Sequence, residues 1–105
     1  AEAGPPHDAQ LHNSRGEYYL NDVGDLEQAA LAYAQATQLA PDWSVPWYNL
    51  GLARKYQGRW DESLRCNLRA AELDPEDDAA WWNAGIAATA LGDWKAARRA
   101  WEAVG

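Results

Sequence analysis

Asn49 and Asn83 stand 34 residues apart (83 − 49) inside two near-copies of one phrase, "VPWYNLGLA" from Val45 and "AAWWNAGIA" from Ala79. A carboxamide carries two donors and an acceptor. An asparagine can therefore hold a peptide backbone at its N–H and at its C=O, whatever the peptide's sequence. Two of them in one column of successive copies would make a ladder of such contacts. At the same spacing the first copy holds Arg15, which offers a charge-assisted contact to a carbonyl or a carboxylate. The plainer alternative is that asparagine suits this stretch of a helix.

The other reactive side chains form no catalytic pattern. Asp61–Glu62 and Glu76–Asp77–Asp78 read as helix-start acids, placed where the dipole favours negative charge. Cys66 is the single cysteine, which excludes an internal disulfide and a multi-cysteine metal site. It has no histidine beside it and reads as a structural thiol. His7 and His12 read as solvated side chains. No glycine-rich phosphate loop and no Ser-x-x-Lys arrangement occurs, so the expectation is a non-enzyme without metal or cofactor. With 16 acids against 9 bases the net charge is −7. That disfavours nucleic-acid binding, which wants a clustered basic face, and an anionic membrane surface. No apolar run approaches the roughly 20 residues needed to span a bilayer.

The elements that must position the asparagines follow from periodicity. A slide of 34 aligns Gly24, Gly58 and Gly92; Ala29, Ser63 and Ala97; Tyr33, Asn67 and Trp101; Ala36, Ala70 and Val104; and Pro41 with Pro75. The glycines suit the left-handed position that ends a helix. Asp25 and Asp93 follow as N-caps, whereas Arg59 is a poor one. Pro41 and Pro75 cannot continue a helix and close the unit. Each unit is thus helix, tight turn, helix, proline turn. The first copy diverges, because Gly16 and Glu17 stand opposite Leu50 and Gly51 at this period. The units run 10–43, 44–77 and 78–105, after a Pro/Gly-rich stretch, Ala1–Ala9, that reads as a flexible extension.

The pattern resembles the tetratricopeptide repeat, a 34-residue helical hairpin with Trp-x2-Leu-Gly-x2-Tyr, then Ala-x3-Phe, then Pro. Trp47, Leu50, Gly51, Ser63 and Pro75 carry it in the second copy; Trp81, Gly85, Ala97 and Trp101 in the third; Ala29, Tyr33 and Pro41 in the first. Arg54, Ala88 and Asn67 depart from it. The resemblance implies an all-α fold, a right-handed superhelical array of antiparallel hairpins, whose first helices line a concave peptide-binding groove. Arg15, Tyr18, Tyr48, Asn49, Leu52, Lys55, Tyr56, Trp82, Asn83 and Ile86 would line it. A free helix face should be polar, and the aromatic and aliphatic residues in this set need a cover. That cover is either a ligand or the first helix of the adjacent repeat. Co-chaperone members grip a carboxylate tail with several Lys and Arg on this face; here only Asn49 fits, so that partner is not expected. Trp47, Trp60, Trp81, Trp94 and Trp101 read as core.

The expected function is a scaffold or adaptor that binds a protein or peptide, with cytoplasmic residence and a cleaved export leader as its alternative. Two other readings stand beside it. One is self-association through the uncapped third repeat. The other is a regulatory or targeting segment of a larger protein, since the chain begins without Met and ends inside a repeat.

Overall fold

A computed structural model describes residues 4–105, so the first three residues of the expected extension lie outside it. Among the described residues every regular element is a helix: α1 (His7–Glu17), which runs on into a π-helical turn (Tyr18–Val23), α2 (Leu26–Leu39), α3 (Ser44–Tyr56), α4 (Trp60–Leu73), α5 (Asp78–Leu91) and α6 (Trp94–Ala103). Consecutive helices pack on one another as hairpins α1–α2, α3–α4 and α5–α6, and α2–α3 and α4–α5 join the hairpins into a stack.

The punctuation is as the periodicity predicts. Gly24, Gly58 and Gly92 sit at φ +80°, +75° and +75°, a region that glycine enters without a Cβ penalty. Asp25, Asp77 and Asp93 cap the helices that follow, their carboxylates accepting from the backbone N–H of Gln28, of Ala79 and Ala80, and of Ala96. Arg59 makes no such bond. The prolines are held as well: the Trp47 indole N–H donates to the Pro41 carbonyl at 2.9 Å, and the Trp81 indole to that of Pro75 at 3.0 Å. Each latch ties the start of one repeat to the end of the hairpin before it.

The core is rich in alanine because the helices approach closely. One cluster joins Ala29, Ala30 and Tyr33 to Leu50, Ala53 and Cys66. A second joins α4, α5 and α6 through Leu64, Ala70, Ala84, Ala87, Ala97 and Trp81. The tryptophan expectation holds in part. Trp81 is buried, and Trp47, Trp60 and Trp101 lie half-buried against the clusters. Trp94 does not belong to the core; it is 64% exposed. It shares a column with Trp60, which packs against the cluster formed with α5 and α6, whereas α6 itself packs chiefly on α5.

Two boundaries differ from expectation. The first helix begins at His7 rather than Gln10, with Ala9 fully buried. Pro5 and Pro6 stand ahead of the helix, where proline is tolerated, and the Pro5 carbonyl accepts from the Gln10 amide at 2.7 Å. The second difference lies at the other end of the helix. In the second and third repeats the residue after the glycine donates five residues back, Arg59 to Arg54 and Asp93 to Ala88, each at 2.9 Å. This is the usual closure of a glycine-ended helix. In the first repeat Asp25 donates six residues back, to Tyr19. One extra residue is present and a π-helical turn absorbs it, the form such insertions take.

That residue changes the register. A Cβ on Gly16 would meet the Tyr33 ring at 2.5 Å, just as one on Gly51 would meet Asn67 at 2.5 Å and one on Gly85 the Trp101 ring at 2.6 Å. Gly16, not Glu17, is therefore the close-approach glycine of the first repeat. The spacing to the helix-ending glycine is eight there (24 − 16) and seven in the others (58 − 51, 92 − 85).

Candidate functional site

The first helices of the three repeats lie side by side, and asparagine side chains bridge them. The Asn49 amide donates to Asn13 Oδ1 at 3.0 Å. One repeat on, the Asn83 amide donates to the Tyr48 hydroxyl at 3.3 Å. In the corrected register Asn13 and Tyr48 are equivalent, so this is one contact made twice. Lys55 Nζ closes the second bridge by donating to Asn83 Oδ1 at 3.1 Å, and its ammonium lies 5.5 Å from the centre of the Tyr56 ring.

These contacts engage, inside the protein, amides of the expected ladder. Asn83 is only 5% exposed, and both ends of its amide are engaged within the protein. Burial of an amide demands such partners, and Lys55 and Tyr48 are within reach because the first helices stack closely. Asn49 is half-buried, with its N–H on Asn13.

The register also moves the first-repeat residues. One residue before the close-approach glycine comes Arg15, in the column of buried Leu50; two after it comes Tyr18, in the column of buried Ala53. Ser14, not Arg15, stands in the asparagine column. Leu50 and Ala53 pack against Ala29, Ala30 and Tyr33 of the preceding repeat. Arg15 is exposed and donates to His12 Nδ1 at 2.8 Å. Tyr18 is 54% exposed, edge-on to Tyr19 at 5.5 Å. Both stand outside the asparagine column, exposed on the first repeat.

The remaining residues share the α3 and α5 face. Leu52 and Ile86 are half-buried and Tyr56 is exposed. Trp82 is 55% exposed, held edge-on against Trp101 at 5.0 Å and 82°. A cavity of about 490 Å³ opens here, lined by Tyr48, Asp78, Ala79, Trp82, Asn83 and Val104. Periodicity missed Asp78 and Val104, which come from a helix start and from the end of another helix. It also missed the cation–π contact of the Arg99 guanidinium over Trp81 at 5.3 Å. Among the described residues no group of three or more metal-ligating side chains occurs, and no helix is long and apolar enough to cross a membrane.

The tetratricopeptide-repeat family model matches residues 48–104. The chain belongs to the tetratricopeptide-repeat family. Its first repeat falls outside that match. Solved tetratricopeptide domains share the fold. The second such domain of human RPAP3, in complex with the HSP70 peptide SGPTIEEVD, is 24% identical, with a TM-score of 0.87 over 96% of this chain and 83% of that one. The second such domain of Spaghetti (RPAP3), bound to the HSP90 peptide SRMEEVD, is 22% identical, with a TM-score of 0.85 over 93% and 90%. A yeast Sti1 domain in complex with pHsp70 is 21% identical, with a TM-score of 0.85 over 94% and 78%. A search of curated proteins gives no match.

Proposed function

We propose that this tetratricopeptide domain binds an extended segment of a partner protein along the face formed by α1, α3 and α5, as a scaffold or adaptor rather than an enzyme. The observation that carries this reading is Trp82, an indole 55% exposed beside a 490 Å³ cavity. A large aromatic held open by a neighbouring ring is a typical anchor for a partner's side chain. Leu52, Tyr56 and Ile86 extend the same face. Peptide complexes of structural neighbours support the reading at the level of class. Cytoplasmic residence belongs to the same proposal.

Selection of random peptides against the immobilised domain tests it. Enriched peptides should perturb the amide resonances of α3 and α5, and their binding should fall at least tenfold in Trp82→Ala. Peptides that instead perturb α4 and α6 on the outer face would refute the proposal.

Self-association is a second reading, favoured by exposed apolar residues on the first and third repeats: Leu11 and Tyr18 on one, Leu91 and Trp94 on the other. Exposed patches of this kind mark association sites. Light scattering from micromolar to millimolar concentration should show a rising mean mass that Trp94→Glu reduces; a constant monomer mass ends this reading.

A further inference from the structure

We infer that the cavity beside Trp82 takes a basic residue of the partner segment, with the Tyr48 hydroxyl donating to a backbone carbonyl and Asp78 receiving the cationic side chain. This rests on the proposed binding face and names the chemistry of its ligand.

The hydrogen-bond polarity is fixed by chemistry. Lys55 has donors only. The Asn83 atom that meets it must therefore be the carbonyl oxygen, which turns the Asn83 NH₂ toward Tyr48. The Tyr48 oxygen accepts that bond, so its own proton points elsewhere. Among the described residues no acceptor meets it, and Tyr48 lines the cavity. The chain Lys55, Asn83, Tyr48 is a one-way relay that starts at a full positive charge and presents a polarised O–H donor. Hydrogen bonds in such chains strengthen one another. The group that satisfies it is an acceptor, and an extended peptide presents one at every residue.

A carboxylate would also satisfy that donor, but Asp78 argues against it. Asp78 lines the same cavity. No ion pair of the described residues includes it. Lys55 is not among the lining residues, so its charge reaches the cavity only through the relay. A ligand carboxylate beside Asp78 would be repelled, whereas a guanidinium or ammonium would be attracted. The Trp82 ring lines the same cavity and adds a face on which a cation is favoured. Donor, aromatic wall and acceptor thus match one basic residue, carbonyl at Tyr48 and side chain at Asp78. The net charge of −7 steers such a ligand inward.

The test uses three capped pentapeptides, Ac-Ala-Ala-X-Ala-Ala-NH₂, with X arginine, citrulline or glutamate. Binding is read from the Trp82 indole and Asn83 side-chain resonances in a nitrogen-15 spectrum. Citrulline keeps the planar shape and loses the charge. At low salt the arginine peptide should bind about three- to tenfold more tightly than citrulline, with the preference shrinking in salt, and glutamate most weakly. Asp78→Asn should bring the arginine-to-citrulline ratio close to one, whereas Asp61→Asn on the outer helix α4 should not change it. Tyr48→Phe should weaken both peptides by about three- to tenfold. Lys55→Met should weaken both, and Lys55→Met with Tyr48→Phe should be no worse than Tyr48→Phe alone, the non-additivity expected of a relay. Melting curves exclude loss of fold as the cause.

Equal affinity for arginine and citrulline, or tighter binding of glutamate, overturns the proposed ligand while leaving the binding face standing. Additive losses at Lys55 and Tyr48 overturn the relay. Absence of groove shifts with all three peptides, together with shifts elsewhere, overturns both the inference and the binding face.

Discussion

Gly85 lets α5 and α6 touch: a Cβ there would stand 2.6 Å from the Trp101 ring. Overfilling a close contact typically costs about 1–3 kcal/mol, and Gly85→Ala should lose that much stability in urea titration. Gly16→Ala should lose a similar amount, because its Cβ would meet the Tyr33 ring at 2.5 Å. The same change at Glu17, the glycine's position under a constant period of 34, should be close to neutral. The asparagines carry a different expectation from the one their spacing raised. Asn83→Ala deletes the bonds to Lys55 and Tyr48. It leaves a half-buried ammonium without its acceptor, a loss of roughly 1–3 kcal/mol. Asn49→Ala loses one bond, to Asn13, and should cost less. Chemical denaturation of the two variants side by side checks the order.

The helices show where sequence was legible. Gly24, Gly58 and Gly92, the Asp caps and the proline turns are local devices, read from residue type alone. The extra residue between Gly16 and Gly24 was not legible at a constant period, because a π-helical turn leaves no compositional mark. Once missed, it displaced Arg15 and Tyr18 into the wrong columns. The internal use of the asparagine amides was hidden for another reason: their partners lie 35 and 36 residues away (83 − 48, 49 − 13), across a helix–helix contact. Deletion of exposed Asn21 should restore the seven-residue spacing, with melting temperature unchanged or raised; a large drop would show that the π-helical turn is itself stabilising. The second helices make a pH prediction. Burial raises the Cys66 thiol from 9.0 to about 11, and burial together with Glu17 raises the Tyr33 phenol from 10.0 to about 12. Folding thus favours the protonated form of each. Stability is intact below pH 9, where both states hold the protons. It falls as pH rises through 9 to 12, where the unfolded chain releases protons that the folded one retains. Denaturation midpoints at pH 8 and pH 11 should differ in that sense, and less so in Cys66→Ala.

Among the described residues each hairpin packs chiefly on its neighbours, and stability in such stacked arrays is close to a sum of unit and interface contributions. Leu64 is buried in the cluster that joins α4 to α5 and α6. Leu64→Ala should cost about 2–5 kcal/mol. The loss should be uneven: amide exchange should quicken more in α5 and α6 than in α1 and α2. A uniform change along the chain would mean that the three repeats unfold as one unit.

The edge-on pair of Trp82 and Trp101 has a use that its packing alone does not suggest. The rings are 5.0 Å apart at 82° and belong to different helices. Indole transition dipoles held that close couple, and the sign and size of the resulting near-ultraviolet dichroism depend on the angle between them. Trp82 walls the cavity and Trp101 rides on α6. Any tilt of that helix, or any guest that turns the Trp82 ring, therefore alters the optical signal of the pair. The domain carries its own spectroscopic gauge beside that cavity, readable without a label.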